Sequence, residues 1–121
     1  MADVTGVIGW VDGDDLAARQ DWAARMDPAD LAEVLQVAYE LGCEFGPLLA
    51  GGIPWTPDYP GPVPARFVRA QAAHARDIAR ASYVENDGQI GPDGFVLTVW
   101  PMDRTIKNLY RPRRGNRRGP R

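Results

Sequence analysis

Cysteine and histidine are nearly missing from this chain: its 121 residues contain one of each, Cys43 and His74. A single cysteine excludes an internal disulfide and is compatible with a reducing compartment. One thiol and one imidazole cannot assemble a cysteine–histidine zinc cluster. His74 has no serine or cysteine within a helical turn to activate, so a core or boundary position is favoured over a general base. Cys43 stands beside Glu44 without basic neighbours, and nothing there would lower its pKa. There is no Gly-Lys-Ser/Thr, and Gly6-Val7-Ile8-Gly9 is not a phosphate loop. Asp12 and Asp14 imitate the opening of a calcium loop. However, Ala17 occupies the glycine position and Ala23 that of the closing glutamate. No apolar run approaches the ~20 residues that span a bilayer, so no membrane partner is expected. Met1-Ala2-Asp3-Val4 lacks the basic and apolar regions of a signal peptide. These gaps point away from an enzyme: no catalytic residue, metal site or cofactor is expected.

Positive charge is scarce in the first half. Residues 1 to 60 hold eleven acids against Arg19 and Arg25, a balance of −9. From Arg111 to Arg121 there are six arginines and no acid, and the whole chain nets −2. An acidic front and a basic end suit self-association or docking on charged partners. The length fits one domain over residues 1–112, opening with an N-terminal arm, followed by a basic flexible tail over 113–121.

Periodicity supplies the elements. Residues 1 to 13 scatter Val4, Val7, Ile8, Trp10 and Val11 among glycines and acids and read as an arm that packs on the body. Asp14 to Met26 reads as a helix capped by Asp14 or Asp12, with Leu16, Trp22 and Met26 as contacts. Asp27 caps the next helix, with Pro28 at its first position and Asp30 near the positive end of its dipole. Leu31, Val34, Leu35, Ala38, Leu41 and Phe45 share one side of it, within about 120°. Glu33, Glu40 and Glu44 gather on the reverse. Gly46-Pro47 ends or kinks it. Residues 51 to 64 hold five of the eleven prolines and form a stiff, extended connection, which Trp55 and Tyr59 pin to the body.

A long helix follows from Pro64 to Tyr83 or Val84. Phe67, Gln71, His74 and Ile78 make its packing face, and Arg66, Arg69, Arg76 and Arg80 make a basic stripe opposite. Phe95 to Trp100 reads as a strand between Gly94 and Pro101. Asp103 caps a short helix carrying Ile106, Leu109 and Tyr110, and Pro112 ends it. The fold class is therefore mainly α: a bundle of three to four helices with a short β element and an extended C-terminal arm.

The arginine stripe is either a solvated face or a docking surface for acid. Its natural counterpart is the Glu33/Glu40/Glu44 stripe, within the chain or on a neighbouring copy, and head-to-tail pairing of unlike faces closes rings. Arg113, Arg114, Arg117, Arg118 and Arg121 could grip phosphates without reading sequence, which makes a nucleic-acid-binding accessory protein the alternative reading.

Three stretches carry a resemblance: RQDWAARMDPADLAEVLQVA, VPARFVRAQAAHARDIARA entered through Pro64, and DGQIGPDGFVLTVWPMDRTIKNLYRPRRG. Together they resemble the head-to-tail adaptor (connector, or neck) proteins of long-tailed phages, especially those infecting actinobacteria. The resemblance covers most of residues 19 to 115 and rests on packing and loop residues. It implies a structural virion protein made in the host cytoplasm. Twelve copies would form a ring beneath the portal protein, at the neck between head and tail. The ring would offer a platform to a stopper or next neck protein. It would also continue a channel through which double-stranded DNA slides without specific recognition, and an acidic lumen would suit that. Phe95, Leu97, Trp100, Arg104, Lys107, Tyr110, Arg111, Arg113 and Arg114 would then serve contacts between subunits or with the portal.

Overall fold

The computed structural model describes residues 6–85 and 101–112 of the chain. Its described elements are mainly helical. Strand β1 (Val7–Ile8) pairs antiparallel with β2 (Val11–Asp12), in the register Val7 opposite Asp12 and Ile8 opposite Val11. Then come helices α1 (Gly13–Arg19), α2 (Asp21–Ala24), α3 (Pro28–Phe45), α4 (Ala65–Glu85) and α5 (Arg104–Tyr110).

The single helix expected from Asp14 to Met26 is instead two. Asp12, not Asp14, caps α1 by accepting from the backbone N–H groups of Asp14 and Asp15. Gln20 then adopts extended dihedrals (φ −121°, ψ 123°) and breaks the run. The break turns Ala23 and Met26 inward, where both are buried. This split raises the helix count among the described residues from the expected three to four to five.

Helices α3 and α5 begin as their capping residues dictate. The Asp27 carboxylate accepts from Ala29 N at 2.9 Å, Pro28 opens α3, and Gly46 closes it in the left-handed region (φ 90°). Asp103 accepts from Ile106 N at 2.9 Å at the start of α5. The short β element sits in the N-terminal arm. The strand expected at Phe95–Trp100 lies outside the described residues, as does the tail from residue 113 onward.

Helix α3 packs along α4, and burial follows the expected stripes. Leu31, Val34, Leu35 and Ala38 of α3 meet Ala75, Ile78 and Ala79 of α4, with Val11, Ala23 and Met26 closing one end. Leu41 and Phe45 of the same stripe are only half-buried, and Phe45 packs on the second cluster instead. Phe67, Gln71, His74 and Ile78 are fully buried. The alanines of α4 keep the two helices close, since a methyl adds little bulk between axes.

A second cluster gathers aromatic rings around Trp10. Its ring lies 4.7 Å from Tyr39, 5.2 Å from Trp55, 5.1 Å from Phe67 and 5.7 Å from Tyr110. Most of these meet edge to face, the arrangement that ring quadrupoles favour. Trp55 therefore does pin the proline-rich connection to the body. Tyr59 does not: it folds over Gly61 of its own loop and remains 38% exposed.

Candidate interaction surface

The basic stripe of α4 divides into two parts with different work. Arg66 is turned into the chain: its Nη1 donates to Leu109 O (2.7 Å) and Tyr110 O (3.1 Å), and its Nη2 donates to Leu48 O. A planar guanidinium suits this, since its forked donors satisfy the orphan carbonyls at the end of α5 and tie that end to the chain after α3. Burial lowers its pKa from the ordinary arginine value. Arg66 was expected on an open partner-binding face, and it is a structural clamp instead. Arg66→Ala is expected to cost about 2–3 kcal/mol in a thermal or urea melt, with Arg66→Lys restoring only part because an ammonium cannot fork.

Arg111 behaves similarly at the other side of the same junction. Its Nε donates to Gly46 O at 2.7 Å, and its guanidinium lies 5.1 Å from the centre of the Phe45 ring. Tyr110, also expected at a partner contact, is wholly buried against Gly42 and the aromatic cluster. Its hydroxyl is buried and finds no hydrogen-bond partner among the described residues. Burial, followed by the nearby Cys43, raises the phenol far above the ordinary tyrosine range near ~10. Below that range both folded and unfolded chains keep the proton. Above it the unfolded chain releases a proton the folded chain retains, so stability falls as pH rises. Tyr110→Phe is expected to raise stability by up to about 1 kcal/mol at neutral pH and to flatten the alkaline decline in urea midpoints.

Arg69, Arg76 and Arg80 remain exposed, as do Glu33, Glu40 and Glu44 on α3. Because α3 and α4 join through their apolar faces, the two charged stripes lie on outer sides turned away from each other. Among the described residues the one ion pair is Arg19–Asp15, at 3.2 Å, so no other described residue neutralises either stripe. Gln36 Nε2 donates to the Glu40 carboxylate at 2.8 Å and holds it outward. At the start of α3, burial raises the Asp30 pKa, and the crowding of Asp27 and Glu33 adds to it. Arg104 and Lys107 are exposed on α5.

The Arg69–Arg76 segment forms one wall of an open groove of about 540 Å³, whose other wall is α1 and α2. Leu16, Trp22 and Val68 give it an apolar floor, and Arg19 joins Arg69 and Arg76 at its rim. Sequence reasoning missed this groove, because it exists only once the break at Gln20 swings α2 beside α4. A second groove runs along the proline-rich connection, where Ile53 is 60% exposed.

Among the described residues no group of three or more histidine, cysteine or acidic side chains could hold a metal ion, and no helix is long and apolar enough to cross a membrane. Tyr39 and Cys43 are hydrogen-bonded to each other and both pKa values are raised, chiefly by burial, which leaves the thiol a poor nucleophile. Phe95, Leu97, Trp100, Arg113, Arg114, Arg117, Arg118 and Arg121 lie outside the described residues. No known protein family matches the chain, and neither a curated protein nor a solved structure does.

Proposed function

We propose that this chain is a structural head-to-tail adaptor of a long-tailed phage, working by assembly and not by catalysis. In this reading copies form a ring of twelve that joins the portal protein to the downstream neck proteins and continues the DNA channel. One observation carries the assembly part. A small helical body presents three arginines on one outer side and three glutamates on another, and among the described residues none of the six is in an ion pair. Unlike faces on one subunit generate heterologous contacts, and such contacts close into rings when the rotation permits. The adaptor part rests on the sequence resemblance.

The test is the native mass of the purified chain, alone and mixed with the portal protein of the same phage. A complex carrying many copies per portal is the expected result. A chain that ignores portal but binds duplex DNA, with steep salt dependence lost on removing residues 113–121, would instead make it a nucleic-acid-binding accessory protein.

A further inference from the structure

We infer that the acidic ridge of α3 on one copy lies parallel to the arginine ridge of α4 on the next, pairing Glu33 with Arg69, Glu40 with Arg76 and Glu44 with Arg80. With Arg66 withdrawn into the α5 clamp, three arginines remain, and their spacing matches the glutamates. Seven residues separate Arg69 from Arg76 and Glu33 from Glu40; four separate Arg76 from Arg80 and Glu40 from Glu44. On a helix these intervals are about 10.5 Å and 6 Å, so all three charges coincide when the two helices run in the same direction. Reversing one helix opposes the long interval to the short one. The end pairs then still meet, but the middle charges miss by about 4.5 Å.

Both ridges meet the demands of such a contact. All six side chains are exposed, and among the described residues none is held in an ion pair. Beside the arginines, the groove offers Val68, Leu16 and Trp22 as apolar area for the neighbour to cover. That area matters because exposed ion pairs contribute little each, and three alone would not hold two copies together. The charges select the partner face and its direction, while the groove supplies the burial. A second copy is the occupant that matches, because its own α3 carries the complementary spacing.

This pairing gives the proposed ring its subunit contact and in that sense rests on the adaptor reading, but it is measured without the portal. Sedimentation equilibrium of the full chain at low ionic strength is expected to show self-association that weakens with salt. Arg76→Glu or Glu40→Arg alone is expected to weaken it at least about tenfold, and the double variant to restore it. Glu33→Arg is expected to be rescued by Arg69→Glu and not by Arg80→Glu, which would be its partner if the helices ran in opposite directions. All these positions are exposed, and far-ultraviolet circular dichroism checks that each variant folds. A strictly monomeric wild type, indifference to the single reversals, or rescue by Arg80→Glu would overturn the pairing. Portal-borne rings untouched by the reversals would retain the adaptor reading and remove this contact. Self-association that follows the swaps in a chain that ignores portal would do the reverse.

Discussion

Replacing Gln71 with leucine is expected to lower stability by about 3–5 kcal/mol, a large share of the ~5–15 kcal/mol that holds a domain this size. The size follows from what the amide joins. Its Oε1 accepts from Trp10 N at 2.9 Å, while its Nε2 donates to Ile8 O at 2.8 Å and Leu35 O at 3.0 Å. One fully buried side chain thus ties the hairpin turn to α3 and α4 together. Leucine keeps the volume and the apolar contacts but strands the Trp10 N–H and takes one hydrogen bond each from the Ile8 and Leu35 carbonyls, at a buried to part-buried site. Each such group costs about 1–3 kcal/mol. Gln71→Glu should be at least as damaging, since a carboxylate cannot donate to either carbonyl and would carry a charge into the core. Urea unfolding monitored by tryptophan fluorescence measures both variants. A loss under about 1 kcal/mol for Gln71→Leu would mean the hairpin is held by its aromatic contacts alone.

That Gln71 would be inside was legible; what it does there was not. Its angle on α4 placed it with Phe67, His74 and Ile78, and helical periodicity is a strong signal over 21 residues. The caps at Asp27 and Asp103 were equally legible, because a carboxylate before a helix acts on backbone only two or three residues away. What stayed hidden is the partner in each contact made across long sequence separations. Arg66 occupies the angle of a solvent-facing arginine, and only the docking of α5, more than forty residues later, brings the Leu109 and Tyr110 carbonyls within its reach, beside that of Leu48 from the chain after α3. Tyr110 likewise reads as one more residue on a short amphipathic helix until Gly42, a position without a side chain, admits its ring. The break at Gln20 escaped for a different reason: neither glycine nor proline marks it, and tertiary packing of Ala23 and Met26 overrides local helix preference. For the interaction surface the outcome is mixed. The two stripes were legible as charge patterns, but which arginine was already engaged, and the groove beside the rest, required the fold.

The hairpin offers the sharpest test of such hidden contacts. Gly9→Ala is expected to cost about 3 kcal/mol or more, through two separable causes. Gly9 has φ +65°, a left-handed conformation that costs an ordinary L-residue about 1–2 kcal/mol. In addition, a Cβ at this position would stand 2.3 Å from Tyr39 Cδ1 and 2.5 Å from Cγ, far inside contact distance. The ring cannot simply swing aside, because its 4.7 Å edge-to-face contact with Trp10 helps fix the aromatic cluster. A double-mutant cycle with Tyr39→Ala separates the causes. With the ring removed, the alanine at position 9 should retain only the backbone cost, so the two substitutions together should be milder than their sum by at least about 1 kcal/mol. Full additivity would show that the turn tolerates displacement from α3. The hairpin would then be a loosely attached arm, and the clamp by Gln71 would have to act without the support of a rigid turn.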